Sequence, residues 1–289
     1  MDPLMRIEQA LIEALAYEQG PHCPPQLAAA IRYAVFPGGA RVRPSLALAV
    51  AQACGEDDPR LAAMAAASVE IMHCASLIHD DLPCFDNACI RRGKPSVHVA
   101  FGERIAVLAG DALIVLPFQA LARAATDSPQ RLPALIAIVG RAVGLPSGII
   151  PGQAWECESE IVLADYQRAK TGALFAAATM AGAAAAGAEH EPWRTLGECL
   201  GEAYQVADDI LDATATEADI GKPGGRDAAL GRPSAANELG LSGAKTRLRT
   251  LLAEAIESIP PCPGQAELRA SFAKEAEQFL PKALARFAA

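Results

Sequence analysis

The stretch RLAAMAAASVEIMHCASLIHDDLPCFD, residues 60–86, decides the architecture. It shows no alternation of apolar and polar residues, so it does not read as a half-buried strand. Alanine dominates it, has the highest helix propensity, and lets neighbouring helices pack closely. The pattern predicts a long helix from about Arg60 to Asp81, ending near Pro83, which cannot continue it. Asp80 and Asp81 therefore stand at a helix end, and Asp86 reaches back from the turn beyond. Crowded carboxylates repel one another, and a cation relieves that cost. Hard oxygen donors suit Mg²⁺, which keeps several waters and takes one or two carboxylates plus substrate phosphates. Arg91-Arg92-Gly93-Lys94-Pro95 follows closely and points to a phosphorylated substrate.

A second cluster, Asp208-Asp209-Ile210-Leu211-Asp212, closes another apolar helical stretch, with Gly221-Lys222 a little beyond. On a 3.6-residue wheel Gln205, Asp208, Asp209 and Asp212 fall within roughly 100° of one another. A solvated helix face is the ordinary alternative for such residues. No lysine or arginine lies within a turn to offset the repulsion along that face, which favours a metal role. His73 lies nearly on the wheel face of Asp80, and either a core hydrogen bond or a substrate contact would suit it. Glu70-Ile71-Met72-His73 matches half of a di-iron bundle motif, which needs a second copy that the chain lacks. Gly38-Gly39-Ala40-Arg41-Val42-Arg43-Pro44 is a glycine turn opening onto a helix, where backbone N–H groups and arginines form an anion site.

The chain has 289 residues, 52% of them hydrophobic but only 5% aromatic, with a formal net charge of -9. That balance argues against a nucleic-acid binder, which needs a basic footprint. An acidic substrate must be met by a local basic pocket. Eight cysteines are scattered with no Cys-x-x-Cys pair, which argues against zinc and for a reduced, cytoplasmic protein. The start, MDPLMRIEQALIEAL, carries no signal-peptide core. Thr171 to Ala188 is free of charge over eighteen residues, the threshold length for a membrane span. Its Ala and Gly content is weakly lipophilic, so a core helix is expected and no membrane span.

Further helices are expected from Ile7 to Leu15, Leu27 to Val35 and Pro44 to about Cys54, then near 103–126, 131–145, 162–188, 191–213, 242–257 and 265–287. Thr214 to about Gly240, rich in Gly, Pro, Asp and Arg, reads as a flap over the site. With no sheet, repeat or linker, residues 1–289 read as one all-α domain.

These motifs, in this order, resemble the trans-isoprenyl diphosphate synthases, a resemblance that spans nearly the whole chain. Asp80 to Asp86 is similar to the longer form of that family's first aspartate-rich motif, and Arg91-Arg92-Gly93-Lys94-Pro95 to its tail. Gly152-Gln153, Lys170-Thr171-Gly172, Gln205, Asp208 to Asp212 and Gly221-Lys222 follow in family order. Within the family the chain most resembles geranylgeranyl diphosphate synthases of carotenoid-making bacteria. The resemblance implies a single large helical bundle around a central cavity, and a homodimer. It implies three Mg²⁺ held among Asp80, Asp81, Asp86, Asp208, Asp209 and Asp212, bridging to an allylic diphosphate that Arg91, Lys170 and Lys222 help to clamp. Lys170, Thr171 and Gln205 would present oxygens near the allylic cation. Isopentenyl diphosphate would be held by Arg41, Arg92 and His73, and the released diphosphate would take the proton.

Three positions depart from the family pattern. Ala40 stands where the family usually has Lys. Losing one charged hydrogen bond costs ~1.5–3 kcal/mol, or roughly ten- to a hundredfold in affinity. Asn87-Ala88-Cys89 lacks extra acidic residues, and Glu156 replaces a common Asp. Family resemblance also places Ala75, with Ser76 beside it, where shorter-chain synthases often have an aromatic floor. Met72 lies about one turn deeper, and one turn is about 5.4 Å, near the length of an isoprene unit. A twenty-carbon product is expected, with a fifteen-carbon farnesyl product as the alternative. A non-catalytic regulatory subunit would be expected to lose an aspartate motif, and a terpene cyclase commonly carries one aspartate cluster with an Asn/Ser/Glu triad.

Overall fold

The computed structural model describes residues 2–18, 22–160, 163–214 and 235–274. The described part is a bundle of α-helices with one two-stranded ribbon. Helices α1 (Pro3–Glu18), α2 (Pro25–Val35) and α3 (Val42–Ala53) lead into the long α4 (Pro59–Asp80). The long helix starts where proline chemistry puts it. Pro59 occupies the first turn, where a missing N–H costs nothing, and the Asp58 carboxylate accepts from Leu61 N at 3.0 Å. Ser128 donates to the other oxygen of Asp58 at 2.8 Å, tying this cap to a distant loop.

Past Asp81 the chain turns into the ribbon β1 (Ile90–Arg91) and β2 (Lys94–Pro95). Its two-residue turn has positive φ at both Arg92 (53°) and Gly93 (75°), as tight hairpin turns require. The sequence reading missed this ribbon, which is too short to show alternation. It also missed the short helices α5 (Val97–Phe101) and α8 (Ile149–Ala154). Between them come α6 (Glu103–Ala124) and α7 (Leu132–Val143).

The helix expected over 162–188 runs from Leu163 to Ala185 with a change of ladder inside it. Helix α9 (Leu163–Gln167) passes through a π-helical turn, Arg168–Gly172, before α10 (Ala173–Ala185). Single π turns inside helices often sit at functional sites, and this one carries Lys170 and Thr171. Helix α11 (Arg194–Thr214) then brings the second aspartate cluster. Helix α12 (Ala235–Glu257) breaks at Gly240, where φ is 66°, and residues 265–274 are also helical. Most of the proposed flap, residues 215–234 with Lys222, lies outside the described residues.

α10 is buried from Leu174 through Ala185 and packs against α3, α4, α7 and α11. A helix that is apolar all round belongs in a core. Gly182 permits the close approach to α3, since a Cβ there would lie 2.2 Å from the Ala47 carbonyl oxygen. α4 packs against α6, α3 and α1. α4 and α6 are each long and apolar enough to cross a membrane. The apolar window of α4 is 83% buried inside the bundle and that of α6 44%.

Candidate active site

One cavity of about 1090 Å³ is lined by Asp80, Asp86, Lys170, Thr171, Gln205, Asp208, Asp209, Arg41, Arg43, His73, Arg91 and Arg92 among others. The two aspartate clusters therefore meet in one space, as do the glycine turn and the ribbon.

At the end of α4, carboxylate oxygens of Asp80, Asp86 and Glu156 all lie within 4.8 Å of one another. Asp86 is brought there by the turn, its N–H donating to the Asp80 carbonyl at 3.0 Å. Asp80 Oδ1 is buried without a hydrogen bond, with Lys170 Nζ 3.6 Å away. Burial chiefly raises the Asp80 pKa. Lys170 opposes that rise, Asp86 and Glu156 add to it, and Arg91 opposes it. Three converging hard oxygen donors, one with an orphaned buried oxygen, fit a Mg²⁺ ion. Glu156 is held in place by the Tyr166 hydroxyl at 2.7 Å, by Gln153 at 3.1 Å and by Lys170. The carboxylate at 156 thus replaces Asp81 in this group. Asp81 is 2% exposed and locked to Arg91, whose Nε donates to both carboxylate oxygens at 3.0 and 3.1 Å and Nη2 to one at 2.5 Å. In this state Asp81 and Arg91 neutralise each other.

The second cluster divides similarly. Asp208 is exposed to the cavity, whereas Asp209 is 4% exposed. Neighbours on a helix point about 100° apart, so both cannot face the same ligand squarely. Asp209 accepts from Gln205 Nε2 at 2.9 Å and from Ala235 N at 2.8 Å, joining α11 to the start of α12. Thr171 Oγ1 donates to Gln205 Oε1 at 3.0 Å. This chain of bonds fixes the π turn against the second aspartate cluster. Asp212 belongs to the last turn of α11, and its side chain lies outside the described residues.

The basic wall separates Arg41 from Arg43. All three nitrogens of the Arg41 guanidinium are occupied within the protein: Nε by Glu8 at 2.7 Å, Nη1 by Glu70 at 2.7 Å and Nη2 by the Val35 carbonyl at 2.9 Å. Its side chain is 1% exposed. In this arrangement it acts as a buried strut while also lining the cavity. Arg43, two residues on, faces the cavity and forms no ion pair with a described residue; its buried Nε lacks a hydrogen-bond partner. The signal was present in Arg41-Val42-Arg43, but which arginine is consumed depends on Glu8 and Glu70, far away in sequence. Arg92 stands beside Arg43's wall, 3.9 Å from Glu70. His73 is held neutral, its pKa pushed well down by burial and then by Arg43, Arg92, Arg91 and Arg41.

Away from the charges the cavity wall turns apolar, with Ala75, Ile114, Val143, Ile149 and Leu174. Ala75 and Ser76 both line it, as expected. Met72 is fully buried in the core and is not part of this wall.

Comparison with known proteins agrees with this geometry. The sequence matches the polyprenyl synthetase family over residues 24–268. It is 54% identical over 280 residues to a geranylgeranyl diphosphate synthase of Cereibacter sphaeroides, covering 97% of both chains. It is also 54% identical over 263 residues to one of Rhodobacter capsulatus, covering 91% of both. Among solved structures, a Helicobacter pylori geranyltransferase complexed with magnesium and isoprenyl diphosphate superposes with a TM-score of 0.77 at 30% identity, over 96% of this chain and 98% of the other. Sequence, fold and the meeting of two aspartate clusters in one cavity lead to the same place: the chain belongs to the polyprenyl synthetase family.

Proposed function

We propose that this protein is a geranylgeranyl diphosphate synthase that joins isopentenyl diphosphate to an allylic diphosphate, head to tail. The observation that carries this reading is one cavity with carboxylates at one end, a basic wall that includes Arg43, which has no carboxylate partner among the described residues, and an apolar continuation. Asp80, Asp86 and Glu156, with Asp208 opposite, would hold Mg²⁺, which supplies Lewis acidity toward the departing diphosphate. Lys170, between Asp80 and Glu156, is placed to follow the charge that collects on the same oxygens. The carbon–oxygen bond of the allylic substrate breaks. The Thr171 and Gln205 oxygens, fixed by their mutual hydrogen bond, line the space where the allylic cation forms. Arg43, Arg92 and neutral His73 orient isopentenyl diphosphate so that its double bond meets that carbon. A carbon–carbon bond forms, and the released diphosphate carries away the proton, so no side chain needs to be a strong base. Ala75 leaves the apolar end open beyond fifteen carbons.

The protein works as a homodimer in this reading. The alanine-rich α10 is interior. The exposed apolar stripe lies instead on α6, at Val107 (41% exposed), Leu108 (52%) and Val115 (53%). The eight unpaired thiols fit a reduced, cytoplasmic setting. The direct test is diphosphate release from purified protein given Mg²⁺, isopentenyl diphosphate and farnesyl diphosphate. Release should require all three and stop on chelation. Release without isopentenyl diphosphate would point to a hydrolase or cyclase, and no release at all to a non-catalytic subunit.

A further inference from the structure

The cations lining the cavity are not alike. Arg41 pairs with Glu70 at 2.7 Å, Arg91 with Asp81 at 2.5 Å, Lys170 with Asp80 at 3.6 Å, and Arg92 lies 3.9 Å from Glu70. Arg43 has no such carboxylate among the described residues. Its guanidinium carbon lies 4.6 Å from the centroid of the Phe175 ring and 5.7 Å from that of Tyr204. The rings are themselves 5.4 Å apart and inclined by 42°. Those three distances describe a corner, not a sandwich. Both rings stand on one side of the guanidinium, and the remaining side is left to the cavity that Arg43 lines.

We propose that Phe175 and Tyr204 are positioning residues that hold Arg43 by cation–π attraction while leaving its charge uncancelled for the diphosphate of isopentenyl diphosphate. The proposal rests on the reading of this wall as the second diphosphate site. A carboxylate could fix Arg43 equally well, but it would cancel the charge and repel the incoming anion. An aromatic face attracts a cation through its quadrupole and carries no net charge. The corner also draws on three separate elements, with Arg43 from α3, Phe175 from α10 and Tyr204 from α11, so it forms only when the bundle is assembled. Burial lowers the Arg43 pKa, Tyr204 and Glu70 oppose that from a distance, and a bound dianion would offset it further. Ala40, on the same wall, brings no charge, which leaves Arg43 with a larger share of the recognition.

The test is a double-mutant cycle read in Michaelis constants. Tyr204 is 40% exposed, so its replacement leaves the core intact, and a melting curve checks this. Tyr204→Leu should raise the KM for isopentenyl diphosphate about tenfold, with kcat and the allylic KM changed less than about twofold. Tyr204→Phe keeps the ring and should behave like the parent. Arg43→Ala should raise the same KM, and adding Tyr204→Leu to it should change little more, because the two residues act as one unit. Phe175→Leu should move in the same direction. Independent, multiplying effects of Arg43→Ala and Tyr204→Leu would overturn the proposal, as would Tyr204→Phe matching Tyr204→Leu. An unchanged KM in Arg43→Ala would remove the second-diphosphate assignment itself, and that result is distinct from a failed cycle.

Discussion

Arg41→Ala should act on stability, not on substrate affinity. The substitution deletes hydrogen bonds to Glu8, Glu70 and the Val35 carbonyl. It leaves Glu70, with a side chain only 3% exposed, without its close partner. Removing one member of a buried ion pair costs about 3–5 kcal/mol, because the other charge stays buried and uncompensated. Two features place this case at the low end. Arg92 remains 3.9 Å from Glu70, and Glu8 is 36% exposed and can turn to water. A loss of about 3 kcal/mol should lower Tm by roughly 6–12 °C, on the scaling for domains of a couple of hundred residues. Replacing both partners, Arg41→Met with Glu70→Met, should recover much of that loss. The assay is thermal unfolding followed by circular dichroism, with steady-state kinetics well below the transition. Arg43→Ala is the contrast, with little change in Tm and a raised KM for isopentenyl diphosphate. If Arg41→Ala kept the parental Tm and raised that KM as Arg43→Ala does, the strut assignment would be wrong.

Three further outcomes are expected. Ala75→Phe should shorten the principal product to fifteen carbons with ionisation intact, because Ala75 lines the apolar wall; product sizing checks it, and an unchanged length would remove the floor assignment. Ala40→Lys should add a charged hydrogen bond on the basic wall and lower the KM for isopentenyl diphosphate by roughly tenfold or more, with an unchanged KM showing that Ala40 does not limit binding. The third concerns pH. The folded-state pKa of His73 is depressed, chiefly by burial, so the unfolded chain binds the extra proton first as pH falls below about 6.5. His73 therefore contributes stability above that pH and loses it on acidification. His73→Gln should flatten the fall in Tm between pH 7 and 5, and a slope identical to the parent's would contradict this.

Much of the fold was legible because long alanine-rich helices announce themselves. α4 begins at Pro59 and ends at Asp80, close to the pattern read from Arg60 to Asp81. α10 was legible as a core helix because it carries no charge on any face. The π turn at Arg168–Gly172 was not legible, since one extra residue in a helical ladder leaves no mark on a periodicity read over four or five turns. The site was legible as a set of residues but not as a division of labour. Asp81 looks the equal of Asp80 in sequence, yet Arg91, ten residues on, binds its carboxylate, and the converging carboxylates are those of Asp80, Asp86 and Glu156. Arg41 looks as eligible as Arg43, yet Glu8 and Glu70 consume it. Each of these outcomes depends on which distant side chain the bundle places nearby. Glu156 was expected only in support; it shares the first carboxylate group, held there by Tyr166, which the sequence did not single out.

The central claim is that one cavity condenses two diphosphates and stops at twenty carbons. The most direct test is to incubate the purified protein with Mg²⁺, labelled isopentenyl diphosphate and dimethylallyl, geranyl or farnesyl diphosphate in turn, then size the dephosphorylated alcohols. The account predicts a twenty-carbon alcohol from each starter. A fifteen-carbon limit would contradict the open floor at Ala75, and the absence of any elongated product would contradict the synthase itself.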